Sequence, residues 1–347
     1  MKIDTANGLI LKELLRDSRT SFTEIAKKIG ITSTAVRNRY LSLKKLGIIT
    51  GSTILINPRA FGYNCYGFLG IKTNQKSMNE VKDFLNKQPG VLFTWDKIEE
   101  MNIGNYFALN SLEDFAELIE EIRKNPHVKD IQPLIYVGSP HTQYPDKLII
   151  TSQTKAKENI LKKIKTSKIE EVNLEASKTP DRGTTKLHKI DKTDLEIMRI
   201  LSKNARSSFN GIGKKLSVST VQVINRYEKL KDNKVIIGSS IIIDPQKIGY
   251  TANAMFYISL EIGTDTNKMY NKIKNMANAI VAVEVVGDCE IFAVIAIREF
   301  KKLFESEKQI RTMKGIKKVK INVNPPFSVW PINFFAQILQ LDDYTLR

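Results

Sequence analysis

"IDTANGLILKELLRDSRTSFTEIAKKIGITSTAVRNRYLSLKKLGIITGSTILINPRAFGY", residues 3–63, lies without a gap over residues 190–250, "IDKTDLEIMRILSKNARSSFNGIGKKLSVSTVQVINRYEKLKDNKVIIGSSIIIDPQKIGY". At this offset of 187 residues, 24 of the 61 paired positions are identical. Agreement over that length is internal duplication, so the chain reads as two copies of one plan. Ile10, Leu14, Phe22, Ile25, Val36, Tyr40, Leu43 and Ile49 are among the retained positions and mark a preserved core.

Working outward from the first copy, Ala6, Leu9, Ile10 and Leu14 predict a helix over 4–16. Ser21 with Glu24 three positions on fits a capping box, and Phe22, Ile25, Ala26 and Ile29 form one stripe before Gly30 stops it. Thr32 or Ser33 then caps a third helix to about Leu46, with Val36, Tyr40 and Leu43 inward and Gly47 at its end. Three short helices with a turn of about three residues between the last two make a helix-turn-helix. The outward ridge of the third predicts contacts to double-stranded DNA from Ser33, Thr34, Arg37, Asn38, Arg39, Lys44 and Lys45. Hydroxyls and free amides at the helix start suit phosphate, and the cations suit phosphate or base edges.

In the second copy the scaffold is kept but Thr34, Leu41 and Lys45 become Val221, Glu228 and Asp232. Carboxylates facing phosphate oppose binding, so Asn225, Arg226 and Lys231 are expected to make a weaker contact than the first copy.

After each helical unit, an apolar strand or short hairpin ("IITGSTILIN" in the first copy) leads into a strand-helix-strand-strand-helix-strand order. The fold class is therefore α+β, with two winged-type helix-turn-helix domains and two ferredoxin-like (βαββαβ) sheet domains in tandem. The expected boundaries are helix-turn-helix 1–57, sheet domain 58–138, a basic linker with a helix 139–189, helix-turn-helix 190–244, sheet domain 245–326 and an apolar tail 327–347. Each sheet has helices on one face, so the other face calls for a partner. The linker is long enough for the two halves to pair within one chain, and assembly into a homo-oligomer is the further expectation. Phe327, Trp330, Phe334 and Phe335 predict a tail packed on the sheet or on a partner.

The 347 residues carry a formal charge of +17, which favours a polyanionic partner. Two cysteines, Cys65 and Cys289, exclude a disulfide framework and fit a reducing, cytoplasmic setting. No apolar run reaches membrane-spanning length. His127, His141 and His188 are scattered without ligand spacing, so no metal is expected. Neither a phosphate loop nor a nucleophile elbow is present, and the chain reads as a non-enzyme without a cofactor. One turn, "VVGDCEIFAV" (285–294), offers Gly287, Asp288 and Glu290 as a binding site for an amino acid or other small-molecule effector.

The order of units, with Arg39, Leu43, Gly47, Ile49, Pro58, Gly62 and Tyr63 in the first copy and Arg226, Leu230, Ile236, Pro245, Gly249 and Tyr250 in the second, resembles the Lrp/AsnC family of feast/famine transcriptional regulators. Lys234 replaces the turn glycine, and Glu290 replaces the more usual aspartate of the effector turn. The resemblance implies a sequence-specific DNA-binding regulator whose sheet domains dimerise, here as a covalent pseudo-dimer with the first copy leading. Two alternatives stand beside it: a tetrapyrrole-binding enzyme similar to the siroheme decarboxylases, and a weakly specific DNA-packaging protein.

Overall fold

The computed structural model describes residues 3–142, 189–276 and 279–340. The predicted linker helix lies outside these residues.

In each half, polar caps and left-handed turns cut the chain into short helices. Asp4 caps α1 (Thr5–Arg16), Ser21 caps α2 (Phe22–Ile29), and Thr32 caps α3 (Ser33–Lys45), each side chain accepting from a backbone N–H of the first turn. The second half repeats this with Asp191 on α6 (Lys192–Lys203), Ser208 on α7 (Phe209–Leu216) and Ser219 on α8 (Thr220–Asp232). Gly30 and Gly47 hold φ of +74° and +66°; their counterparts Ser217 and Lys234 take φ of 56° and 55° without being glycine. The second copy has kept both left-handed turns and lost the residues that suit them.

The strand after each helical unit does not form a wing hairpin with its own domain. Strand β1 (Ile49–Ile56) pairs antiparallel with β6 (Ile236–Ile243) of the other half, forming a two-stranded sheet. Helix α1 lies on β6, and α6 lies on β1. Each head therefore rests on a strand from the opposite copy. Local pattern specifies a strand but not its partner, which is why the sequence suggested a wing.

The first sheet unit is β2 (Cys65–Thr73), α4 (Met78–Leu85), β3 (Val91–Asp96), β4 (Ile103–Leu109), α5 (Leu112–Arg123) and β5 (Val128–Thr142). The second is β7 (Ala252–Leu260), α9 (Thr266–Lys274), β8 (Ala279–Gly287), β9 (Ile291–Ile297), α10 (Phe300–Arg311) and β10 (Ile316–Asn324). Their strands run β10-β7-β9-β8-β5-β2-β4-β3, two ferredoxin-like sheets joined edge to edge by an antiparallel β5–β8 ladder. Helices α4 and α5 cover one core on the outer face of the first unit, around Leu69, Phe107 and Leu118. Helices α9 and α10 cover another on the second, around Phe256, Ile273 and Ile295. The inner faces meet in a third core, where Phe68 of β2 stands 5.9 Å from Phe292 of β9. The face that needed a partner finds it in the same chain. The tail enters this core too: Trp330, Ile338 and Leu339 are fully buried. Among the described residues, no helix is long and apolar enough to cross a membrane.

Candidate nucleic-acid interface

With Thr32 as the cap, Ser33 becomes the first residue of α3 and its hydroxyl is released to solvent. Val36 and Leu43 are buried, Tyr40 packs on Phe22 at 5.2 Å, and Ser33, Thr34, Arg37, Asn38, Lys44 and Lys45 are exposed together on the outer side. Among the described residues, Arg37 and Lys45 have no ion-pair partner. Lys247 from the second half donates to the Leu46 carbonyl at 3.1 Å, setting a cation at the negative end of this helix.

Two of the predicted DNA contacts also make ion pairs within their own head. Arg39 binds Asp4 at 2.6 Å and Asn7 at 3.1 Å, and Arg226 binds Asp191 at 2.6 Å and Asp194 at 2.8 Å. Both arginines tie the third helix of their unit to the start of the first. Burial pushes the Asp4 and Asp191 carboxyls up, but the capped amides and the arginine together hold each below the ordinary aspartate value. The carboxylates of Asp194 and then Asp191 raise the Arg226 guanidinium. Placing residues on a helical wheel could not show these carboxylates, which lie some thirty-five positions upstream.

On α8 the exposed ridge is Thr220, Val221, Ile224, Asn225, Glu228, Lys231 and Asp232. Arg37 of the first copy has become Ile224, a further loss beyond the three positions read from the sequence. Lys231 pairs with Glu228 at 3.6 Å. Helix α3 carries four cations and no acid; α8 carries three cations and two acids.

The two heads are locked together by a reciprocal arginine exchange that the sequence reading missed. Arg19 donates to the carbonyls of Ala205 (2.5 Å) and Ser207 (3.1 Å), and its guanidinium lies 3.9 Å from the Phe209 ring centroid. Its repeat partner Arg206 donates to the carbonyls of Ser18 and Thr20 and lies 4.7 Å from the Phe22 ring. Burial draws both guanidinium groups below their usual pKa, although they stay charged at any physiological pH. Around them Ser52 donates to Asn204 (2.9 Å), Ser239 donates to Asp17 (2.6 Å), and Ser18 donates to Ser239 (2.9 Å). The available signal was identity: Arg19 and Ser52 are unchanged in the second copy as Arg206 and Ser239.

The candidate effector turn is part of a seam. Gly287 sits opposite Leu134 in the β5–β8 ladder, and a Cβ there would stand 2.4 Å from the Pro133 carbonyl oxygen. The Asp288 carboxylate accepts from Gln132, and Glu290 accepts from the Leu260 amide at 2.8 Å. In the first half Asn102 does the work of Glu290, accepting from the Thr73 amide at 2.9 Å. Asp288 and Glu290 thus have structural partners, and Gly287 permits the close approach of two strands.

A model of the AsnC-type helix-turn-helix domain matches residues 3–44 and again residues 190–231. An uncharacterized HTH-type transcriptional regulator of Pyrococcus furiosus is 30% identical over 122 residues, covering 35% of this chain and 82% of that protein. The chain belongs to the Lrp/AsnC family of transcriptional regulators. The HTH-type transcriptional regulator LrpA of Pyrococcus horikoshii is 46% identical over 85 residues, 24% of this chain, and the match spans 60% of LrpA's length. This Lrp/AsnC member is duplicated, and over its whole length its fold is similar to that of the siroheme decarboxylase NirDL, with a TM-score of 0.56, 16% identity and 97% of each chain covered. That similarity is one of fold. Among the described residues no cluster of three or more histidine, cysteine or acidic side chains could hold a metal.

Proposed function

We propose that this chain is a sequence-specific DNA-binding transcriptional regulator, working as an intrachain pseudo-dimer in which α3 is the principal reader. The observation that carries the reading is the unequal pair of ridges on one locked platform. Arg37, Lys44 and Lys45 stand beside Ser33, Thr34 and Asn38 on α3, whereas Ile224, Glu228 and Asp232 occupy the matching places on α8. Phosphate neutralisation dominates affinity, so α3 binds strongly and α8, through Asn225 and Lys231, adds a weaker contact. Arg39 and Arg226 support the helices rather than the DNA. Because the inner sheet faces are covered within the chain, one molecule supplies both heads of a site whose half-sites differ.

The test selects a duplex from a random library and measures affinity against salt. Arg37→Ala with Lys45→Ala should weaken binding at least tenfold and flatten the slope of log K against log salt by about 2, since each phosphate contact contributes about 0.9. Lys231→Ala should do much less, and Ile224→Arg with Asp232→Lys should strengthen binding. Equal losses from the two halves would refute the asymmetry, and uniform binding to all duplexes would favour the packaging alternative.

For the tetrapyrrole alternative, NirDL has been solved with an iron-uroporphyrin III analogue. The space between the inner faces here measures 170 Å³ and is walled by apolar side chains. A macrocycle bearing several carboxylates is far larger and would find no histidine in that wall, so the regulator reading is favoured. Absorbance titration with siroheme is the direct check. A small-molecule effector fits a regulator of this family; the seam bonds of Asp288 and Glu290 argue against their holding it.

A further inference from the structure

The pseudo-two-fold that relates the halves predicts two seams between the sheets. Strand β5 meets β8 in one; by repetition β10 should meet β3 in the other. Among the described residues it does not, for there β10 is bonded to β7 alone and β3 to β4 alone. Side chains span the gap instead. The Ile98 amide donates to Asn324 (3.4 Å), Asn322 donates to Glu99, and Lys97 lies 2.5 Å from Glu99 with both side chains almost fully buried.

Behind this open seam lies the 170 Å³ cavity, bounded by Trp95 of β3, Met255 of β7, Phe68, Phe292, Val294 and, from the tail, Phe334. An apolar cavity of about 150 Å³ stays dry and takes up a benzene-sized guest. Lys97 stands 4.7 Å from the Phe68 ring centroid and is neutralised by Glu99, so the wall offers no free charge. Volume and lining together suit an uncharged, flat, apolar ring molecule, because aromatic walls favour offset stacking.

The same tail segment that closes the cavity is stitched to both strands of the platform beneath the heads. Trp330 exchanges two backbone hydrogen bonds of 2.8 Å with Ile243 of β6. Asn333 donates to the Thr53 hydroxyl and the Ile54 carbonyl of β1, both at 2.7 Å. Next to the second anchor, Phe334 stacks on Tyr106 at 4.1 Å and on Phe93 at 5.5 Å.

We propose that this inter-sheet cavity is a binding site for an uncharged aromatic molecule of one or two fused rings, and that its occupancy is passed through residues 330–334 to β1 and β6 and so to the reading heads. The second part rests on the DNA reading; the first stands without it. A ligand can shift the heads only by favouring one arrangement of that tail, which is the contact it must touch.

Indole is the probe. Equilibrium dialysis of the full chain should give saturable one-to-one binding, and indole-3-carboxylate should bind at least tenfold more weakly. Val294→Phe, which fills the cavity, should weaken indole binding at least tenfold. Val294→Ile adds one methyl group, is gentler on folding, and should weaken binding about threefold. Indole uptake that does not saturate, or that neither variant alters, would overturn the site. In the second arm, saturating indole should change the dissociation constant for the selected duplex at least threefold in the wild type and leave it unchanged in Val294→Phe. Intact indole binding with unaltered DNA affinity would overturn the coupling. Intact indole binding with no DNA binding at all would confirm the site and refute the DNA reading instead.

Discussion

Replacing Arg206 by alanine should loosen the two heads from each other without unfolding either. Its guanidinium makes one close charge-assisted hydrogen bond to the Ser18 carbonyl, a longer one of 3.4 Å to Thr20, and a cation–π contact 4.7 Å from Phe22. A hydrogen bond from a charged donor contributes about 1.5–3 kcal/mol and a partly exposed cation–π contact about 0.5–1 kcal/mol. The 3.4 Å bond is too long to count in full. Water can reach the abandoned carbonyls at this half-buried position, which discounts the sum, and a loss of about 2–4 kcal/mol in head docking remains. The assay is amide hydrogen exchange at the cross-half bonds themselves, Ser18 N–H to the Ser239 carbonyl (3.3 Å) and Ala205 N–H to the Ser52 carbonyl (3.2 Å). At about 1.4 kcal/mol per factor of ten, exchange there should accelerate about 30- to 1,000-fold, while amides of the β7–β9 ladder keep their protection. Arg206→Lys retains the charge but not the planar fork, and should fall between wild type and alanine. Arg19→Ala should reproduce the effect from the other side. Exchange at Ser18 and Ala205 within threefold of wild type in both alanine variants would refute the view that this arginine exchange holds the platform.

Three further outcomes are expected. Ser217→Gly and Lys234→Gly should each stabilise the second head by up to about 1 kcal/mol in urea unfolding, because relief of a left-handed backbone (about 1–2 kcal/mol) outweighs the entropy of an added glycine (about 0.5–1 kcal/mol). Burial pushes the Cys65 thiol up to about 11 and the Cys289 thiol up to about 12, so native protein at pH 8 should resist iodoacetamide and react with it rapidly in denaturant. Asp4 and Asp191 titrate lower in the folded chain than the ordinary value of 3.8; their stabilisation is therefore complete above that value and fades as pH falls through the folded pKa, and Asp191→Asn should flatten acid unfolding monitored by circular dichroism below pH 4.

The helical units were legible because their signals are local. Ser21, Gly30 and Thr32 cap or stop helices within a few residues of where they stand, and each does so in the structure. The sheet units were legible in order and type for the same reason, since their strand and helix signals are also local, and the strand-helix-strand-strand-helix-strand order stands in both halves. What could not be read were choices among distant partners. Nothing in "IITGSTILIN" tells β1 to pair with β6 rather than fold back on itself, and nothing in Arg39 shows that Asp4 will claim it. Gly287 was read as part of a binding turn, and nothing local in that turn shows that the Pro133 backbone comes up against it.

These cross-half contacts also bear on the difference between the two ridges. If each head were self-contained, a second copy that lost its cationic ridge could lose its core as well. Here α6 of the second copy packs on β1, Arg206 closes on the loop before α2, and Lys247 caps α3, so the scaffold of the second head is part of what positions α3. Val223, Tyr227 and Leu230 are buried in that second head, whereas Val221, Ile224, Glu228 and Asp232 are exposed on its ridge, so on the proposed reading a change in the first set reaches α3 and a change in the second does not. A specific asymmetry of damage is therefore expected. Leu230→Ala, in the core of the weak reader, should weaken DNA binding by the full chain more than Asn225→Ala on its exposed ridge, because a buried truncation of about 2–5 kcal/mol disturbs the platform of α3 whereas the ridge contributes little contact of its own. Gel-shift titration of both variants decides it; a larger loss from Asn225→Ala would show that the second helix reads DNA in its own right.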